Sequence, residues 1–257
     1  MTRRAVTYAS YLKVPELLSL QVERSSGPNG PEHDELLFIV VHQVYELWFK
    51  SLRHELRAVQ VALESGDTDR ALHLLGRVEK ILKTVVAQVD VLETMTPLQF
   101  LSFRDRLESA SGFQSAGFRE IEAILGIRDP AAIAAQPDGP ARRRLEEAHR
   151  RATLWSSFLA YLAMRSVSLP SDPAVPDERV QSALVDMYRR DADAALVAER
   201  LVDLDEGVQE WRYRHVKMVE RTIGTKRGTG GSSGVEYLRG TLFTAAFPDL
   251  WEIRSRL

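Results

Sequence analysis

The sequence predicts an all-α protein, a bundle of long helices that forms a single domain over residues 1–257. Two observations predict this class. Apolar residues recur at intervals of three and four over long stretches, as on one face of a helix, and no stretch alternates as a strand does. A chain of 257 residues is also most simply accommodated as one large domain.

The composition excludes several classes of function. The chain carries 34 basic and 36 acidic residues, so its net charge of -2 predicts no binding to nucleic acid or to an anionic membrane. Cysteine is absent, which excludes disulfides, thiolate catalysis and cysteine-bound zinc or iron–sulfur clusters. No signal peptide is recognisable, and no segment approaches the roughly 20 apolar residues that span a bilayer. We therefore expect a cytoplasmic protein.

The N-terminal region, residues 7–21, predicts a short extended piece followed by a short helix that begins near Pro15. Tyr8 and Tyr11 have polar tips and, judged by residue type alone, are interpreted as packing at the surface. Residues 25–32 are rich in glycine and proline and predict a loop.

Two long helices are predicted next, over residues 34–64 and 68–92, with Gly66 near the end of the first. In the first helix, one face carries an aromatic stripe that contains a histidine. Its members are Phe38, His42, Tyr45 and Phe49, at i, i+4, i+7 and i+11. His42 is either a core histidine satisfied by nearby backbone or a pocket residue that serves a substrate or iron. The stretch itself leaves both readings open.

A third helix begins at Thr96, which suits the N-cap position, with Pro97 at the first helical position and Gln99 completing a capping box. Arg104 then lies in an apolar stripe with Phe100, Phe103 and Leu107. An unpaired guanidinium there would cost several kcal/mol. Arg104 therefore requires an internal carboxylate, contact with solvent, or a carboxylate that a ligand brings.

The second half of the chain is also predicted to be helical. We expect a break at residues 109–113, surface loops at 127–141 and 169–177, and a final helix or irregular tail over 235–257 in which Phe243, Phe247 and Trp251 pack. The helices predicted between them cover residues 114–125, 142–165 and 179–222, the last with an internal break.

A second histidine stands in an apolar, aromatic stripe near the end of this region: His215 shares a helix face with Val208, Trp211, Met218 and Thr222. The glycine-rich segment 224–234 follows. It matches neither a Walker A loop nor a dinucleotide fingerprint. Its composition suits a flexible linker or a lid that closes over a small ligand.

From residue types alone, a helical binding module is favoured, because most apolar stripes are simply core. Neither histidine stripe supplies the further ligands of a non-haem metal site, and a nucleophile elbow is missing. Haem is the remaining metal cofactor, since one histidine on a helix can hold its iron while another polar group works on the distal side.

Several stretches resemble the tryptophan 2,3-dioxygenase family, and they occur in the family's order outside residues 127–200. The most specific are the Ser-Gly-Phe-Gln-Ser motif at 111–115, which follows Arg104, and the Gly-Thr-Gly-Gly-Ser-Ser-Gly motif at 228–234. The others are Tyr-Ala-Ser-Tyr-Leu at 8–12, the stretches 33–43 and 46–50 around His42, Leu-Glu-Thr-Met-Thr-Pro at 92–97, and Trp-Arg-Tyr-Arg-His at 211–215.

The resemblance implies haem b in the pocket of the bundle and cleavage of the indole C2–C3 bond of L-tryptophan by O2, giving N-formyl-L-kynurenine. It also implies a role for each matching residue. His215 would be the proximal iron ligand, with Ser111 and Gly112 beside the haem. His42 would bond the indole N–H as a catalytic group. The substrate contacts would be Phe38, Arg104, Leu107 and Thr229, with Tyr8, Tyr11 and Leu12 completing the pocket of a neighbouring subunit.

This last point implies a homotetramer whose residues 1–32 reach a neighbouring subunit, with residues 223–236 as a mobile active-site loop. Two positions depart from some relatives. Phe100 replaces a tyrosine that assists the arginine, and Val89 replaces an aromatic residue near the haem. A relative that inserts one oxygen into a tryptophan derivative to form a 2-oxindole is the close alternative. A non-catalytic protein that binds haem or a small ligand is the distant one.

Overall fold

The computed structural model describes residues 5–28, 30–171, 173–229 and 234–257. These residues form helices and connecting turns, and no β-strand occurs among them, so the predicted all-α class is confirmed. In chain order the α-helices are α1 Tyr8–Leu12, α2 Val14–Leu17, α3 His33–Glu64, α4 Thr68–Leu92, α5 Pro97–Phe103, α6 Ala116–Leu125, α7 Pro130–Ala134, α8 Pro140–Arg150, α9 Leu154–Met164, α10 Glu178–Arg190, α11 Ala192–Ile223, α12 Val235–Gly240 and α13 Pro248–Glu252.

The centre of the bundle is formed by α3, α4 and α11, whose apolar faces pack against one another. Residues 65–67 connect α3 to α4, and so short a connection makes the two helices antiparallel neighbours. Gly66 supplies the turn with a φ of +73°, which a residue with a side chain rarely adopts. Asp67 then caps α4 by accepting a hydrogen bond from the Arg70 N–H at 3.1 Å. The predicted bounds of both long helices are confirmed to within one residue.

The segment after α4 turns back across the end of the bundle. Thr96 and Gln99 form the predicted capping box at the start of α5. The α-helix, however, ends at Phe103, earlier than expected, and residues Arg104–Leu107 continue as a 3₁₀ turn. Phe100 and Phe103 of α5 form a small apolar cluster with Val41 of α3 and Leu92 of α4, and Leu107 at the end of the 3₁₀ turn packs against it.

Three sequence-based expectations about local structure were wrong, each because of a cap. Residues 8–12 are helical rather than extended, because Thr7 and Ser10 form a capping box. The expected loop 127–141 contains α7, whose N-terminus is capped by Asp129. The expected helix 142–165 is divided into α8 and α9, because Thr153 begins a new helix by accepting a hydrogen bond from the Ser156 N–H at 3.0 Å.

The C-terminal segment is held against α11 by one buried carboxylate. Asp205, which is 1% exposed, accepts hydrogen bonds from the Ala246 and Phe247 N–H groups and from Trp251 Nε1, at 2.9, 3.1 and 2.9 Å. Phe247 is fully buried as expected, whereas the expectation that Phe243 packs was wrong, since its side chain is 86% exposed. The break predicted within residues 179–222 is present at Asp191, between α10 and α11.

Within the described residues, every helix is either too short or too polar to cross a lipid bilayer.

Candidate active site

One cavity of about 540 Å³ opens between α3, α5, α6, α11 and α12, in the size range of small-molecule sites. It brings together eight of the predicted site residues, from positions up to 191 residues apart in the sequence. They are Phe38, His42, Arg104, Leu107, Ser111, Gly112, His215 and Thr229. Most of the other residues that line it are apolar or aromatic, as expected of a pocket for a flat organic ligand.

His42 lines this cavity from α3, and its hydrogen bond determines which ring nitrogen carries the proton. Nδ1 lies 2.7 Å from the carbonyl oxygen of Phe38, one turn earlier. Because a carbonyl oxygen can only accept, Nδ1 is the donor, and in the neutral ring Nε2 is left as an acceptor. The Phe38 ring packs on the imidazole with a centroid distance of 4.1 Å. Burial lowers the pKa of His42 more than the Phe38 carbonyl and the Glu46 carboxylate raise it.

Arg104 lies on the 3₁₀ turn and reaches the glycine-rich segment. Its guanidinium donates a hydrogen bond of 2.6 Å to the carbonyl oxygen of Arg227. No carboxylate of the described residues pairs with it, so the internal salt bridge considered for Arg104 is not formed there. A guanidinium has five N–H donors in a planar fork, so Arg104 can still bind an anion in addition to the Arg227 carbonyl.

Thr229 lines the cavity from the glycine-rich segment, and its hydroxyl donates to the carbonyl oxygen of Ala110. Together with the Arg104 bond, this contact connects the segment to residues 104–110 on the opposite side of the cavity. Residues 230–233 of the predicted loop lie outside the described residues. The bonds of Arg227 and Thr229 join the preceding part of the segment to residues that line the cavity.

Ser111 and Gly112 follow directly and begin a second 3₁₀ turn, Gly112–Gln114. The Ser111 hydroxyl accepts a hydrogen bond from the Phe113 N–H at 3.3 Å, which holds the turn at the cavity wall. No heavy atom lies within 4 Å of the position that a Cβ at Gly112 would take, so the glycine leaves open space there. Leu107, at the end of the preceding turn, packs on the apolar cluster beneath it.

His215 lines the cavity from α11, whereas His42 lines it from α3. Burial, with a smaller effect of the nearby His42 and Arg119, lowers its pKa to about 4. The ring is therefore neutral at pH 7, and a neutral imidazole is the form that binds metal ions. Within the described part of the chain, neither ring nitrogen has a hydrogen-bond partner. The ring lies parallel to that of Trp211, with an angle of 5° between them.

A buried ion cluster in the cavity wall was missed by sequence reasoning. Glu122 accepts hydrogen bonds from Arg119 at 2.6 Å and from Arg212 at 2.9 Å. Arg212 also donates to the carbonyl oxygen of Thr244 at 3.1 Å, which connects α11 to the C-terminal segment. The sequence contains a signal for it, because Glu122 stands within the apolar run of α6 and Arg212 lies between cavity residues of α11. Their pairing over 90 residues, however, is visible only in the fold.

Three predicted site residues do not line the cavity of their own chain. Tyr8, Tyr11 and Leu12 belong to α1, and their side chains are 78%, 76% and 45% exposed. The contact of these residues with a pocket in a neighbouring subunit remains a prediction.

Comparison with known proteins identifies relatives over nearly the whole chain. The family model described as tryptophan 2,3-dioxygenase matches residues 1–165 and 174–257. The tryptophan 2,3-dioxygenase of Anaeromyxobacter sp. (strain K) is 59% identical, covering 98% of this chain and 97% of that protein. Those of Herpetosiphon aurantiacus and Caulobacter vibrioides are 55% and 40% identical, covering 99% and 98% of both chains, respectively.

Proposed function

Since the chain belongs to the tryptophan 2,3-dioxygenase family, we propose that it uses haem b and O2 to cleave the C2–C3 bond of the indole ring of L-tryptophan, with N-formyl-L-kynurenine as the product. One observation carries the proposal. Three side chains converge on one largely apolar cavity: the neutral His215, His42 with Nε2 as an acceptor, and Arg104. Among the described residues, His215 has no hydrogen-bond partner and Arg104 has no carboxylate partner.

The residues of the cavity fit a haem group. His215 is neutral, and no described residue forms a hydrogen bond with its ring nitrogens, so one of them could bind the haem iron. The walls around it are apolar and aromatic and can enclose a flat macrocycle; they include Trp211, Val216, Met218 and Leu238. When bound, the haem iron supplies the activation of O2 that no side chain can provide.

Arg104 and Thr229 would hold the amino-acid end of the substrate. The guanidinium fork matches a carboxylate, and its bond to the Arg227 carbonyl keeps it directed to the side where Thr229 lies. A substrate carboxylate bound there would be the anionic partner of Arg104, which no described carboxylate provides. Leu107 and Phe38 would pack against the indole ring. The protein would thereby position the reacting ring without forming a covalent bond to it.

His42 would orient the indole by accepting its N–H at Nε2, the nitrogen that the Phe38 carbonyl leaves unprotonated. Both oxygen atoms enter the product and no proton is consumed overall, so His42 need not act as a strong base. Its hydrogen bond stabilises the positive charge that develops on the indole nitrogen as the ring is attacked.

Product mass after turnover with ¹⁸O2 tests the proposal. The haem-loaded, reduced protein with L-tryptophan is expected to give a product that carries two labelled oxygen atoms. A product with one labelled atom would contradict dioxygenation and indicate the oxindole-forming alternative. Haem binding without any product from tryptophan would contradict L-tryptophan as the substrate.

The pH dependence of turnover is expected to follow His42. Burial keeps the pKa of His42 below the usual 6.5, so Nε2 is an acceptor at pH 7. As the pH falls through this lowered pKa, Nε2 is protonated and can no longer accept the indole N–H. We expect kcat/KM for tryptophan to be constant from about pH 7 to 8 and to fall by up to about tenfold per pH unit below the pKa. A pH profile of the protein and of the His42→Gln variant measures this.

The glutamine variant keeps an acceptor that does not titrate. It is expected to lose the acid limb while it retains part of the activity. The assignment is wrong if the variant keeps the same acid limb, or if the limb of the parent has its midpoint above 6.5.

We further infer a homotetramer in which residues 1–32 complete the pocket of a neighbouring subunit. The exposed apolar side chains of α1 and α2 support this, because surfaces of this kind usually mark contacts between proteins. Light scattering is expected to give four times the mass of the chain. A monomer, or an unchanged mass after Tyr8→Ser and Tyr11→Ser are combined, would contradict the arrangement.

Two assignments remain proposals: residues 223–236 as a mobile active-site loop, and a cytoplasmic location. The bonds from Arg104 to Arg227 and from Thr229 to Ala110 support a loop that covers the cavity.

A further inference from the structure

Trp211 and His215 lie one turn apart on α11, and their rings stack. The centroids are 5.0 Å apart and the ring planes differ by only 5°. Residues four apart on a helix are neighbours on its surface, so the stack is built into the helix itself. A parallel, offset arrangement of this kind is the favourable geometry for two aromatic rings.

Trp211 is in turn held by other aromatic side chains. Phe118 of α6 packs on it with a centroid distance of 4.4 Å, and Phe49 of α3 meets it edge to face at 6.3 Å. The side chain is 9% exposed. Because the indole is enclosed by α3 and α6, it cannot turn away from His215 without disturbing the packing between those helices.

Among the described residues, His215 has no partner for the hydrogen bond that usually orients a metal-binding histidine. Such a ligand commonly donates its second ring N–H to a carboxylate or a carbonyl oxygen, which sets the orientation of the ring. No described residue accepts a hydrogen bond from His215. Glu122, a buried carboxylate in the cavity wall, is bonded to Arg119 and Arg212.

We propose that Trp211 is the positioning residue of the iron ligand, and that ring stacking holds the imidazole plane of His215 in place of a hydrogen bond. The inference rests on the proposed function, in which His215 binds the haem iron. Trp211 is suited to this task by its flat ring alone, because its Nε1–H is buried and has no hydrogen-bond partner among the described residues.

This distinction gives two variants with opposite expectations. Trp211→Phe keeps a ring that can stack and removes an N–H that bonds to no described residue, so we expect an iron–histidine bond like that of the parent. Trp211→Leu removes the stack. The ring of His215 is then free to rotate, and the haem is expected to dissociate about 10- to 100-fold faster, the range found when outer partners of a metal ligand are lost.

Two measurements on the haem-loaded protein read these effects without using activity. Resonance Raman spectroscopy of the ferrous form reports the iron–histidine stretching band, which is expected to shift or broaden in Trp211→Leu and to remain in Trp211→Phe. Transfer of haem to apomyoglobin reports the dissociation rate.

Trp155 provides a matched control. It is 5% exposed, packs on Phe158 with a centroid distance of 5.5 Å and does not line the cavity, and its buried Nε1 has no hydrogen-bond partner in the described part of the chain. Trp155→Leu therefore makes the same change in a core position and lowers stability in a comparable way. Its iron–histidine band is expected to equal that of the parent, which separates orientation of the ligand from loss of stability.

An unchanged band and haem transfer rate in Trp211→Leu would overturn the proposal. So would a phenylalanine variant that behaves like the leucine variant, since the stack would then not be the feature that matters. Failure of the proposed function looks different: the parent itself would bind no haem, or its iron–histidine band would survive in His215→Ala.

Discussion

Replacing His215 by alanine is expected to abolish stable haem binding and to reduce dioxygenase activity to background. His215 lines the cavity as a neutral imidazole with no hydrogen-bond partner among the described residues, and alanine leaves no atom there that can bind iron. The Soret absorbance of the purified protein and its haem stoichiometry measure the effect. Since the ring forms no hydrogen bonds with described residues, we expect the helix to remain folded in the variant.

His54→Ala is the control for this variant. His54 is exposed on α3 and does not line the cavity, so its haem content and activity are expected to match those of the parent. A normal haem spectrum in His215→Ala would show that another group binds the iron. The assignment of His215 would then be wrong.

Replacing Arg104 by alanine is expected to raise the KM for L-tryptophan by about 30- to 1000-fold while haem content stays unchanged. This range corresponds to about 2–4 kcal/mol. That is the lower part of the roughly 2–5 kcal/mol that is lost when one partner of a buried charged pair is removed, because Arg104 is only half-buried. Arg104→Lys keeps the charge without the planar fork and is expected to lie between the alanine variant and the parent. Steady-state kinetics and haem absorbance measure both quantities.

Two comparisons isolate the carboxylate. Arg106 lies on the same 3₁₀ turn, is exposed and does not line the cavity, so Arg106→Ala is expected to bind tryptophan as the parent does. Tryptamine lacks the carboxylate, and its affinity is expected to be similar in the parent and in Arg104→Ala. The carboxylate role of Arg104 fails if the alanine variant binds tryptophan as tightly as the parent.

Much of the fold was predictable because it depends on local rules. The apolar spacing of α3 and α4, the turn at Gly66 and the capping box at Thr96 are properties of neighbouring residues, and the structure confirms all three. The family was predictable from motifs that occur in a fixed order, and the comparisons confirm it. The local errors at α1, α7 and Thr153 arose where a single cap outweighed the composition around it.

The partners of the site residues could not be predicted in this way. The apolar stripe of Arg104 showed that the guanidinium needs a partner, but the Arg227 carbonyl lies 123 residues further along the chain. The stripe of His42 left a core role and a pocket role open. The structure shows the bond to the Phe38 carbonyl that the core reading expected and also places the ring at the cavity wall, so the substrate role of His42 stays a proposal.

The sequence alone therefore determined the all-α class, the bounds of the long helices α3 and α4 and the family that the chain resembles, because these depend on spacing and order. Only the tertiary structure decided that His42, Arg104 and His215 share one cavity, that Glu122 is paired with two arginines, and that the ring of His215 stacks on Trp211. Such contacts depend on how α3, α6 and α11 are arranged in space, and that arrangement results from the packing of the whole core rather than from any one segment.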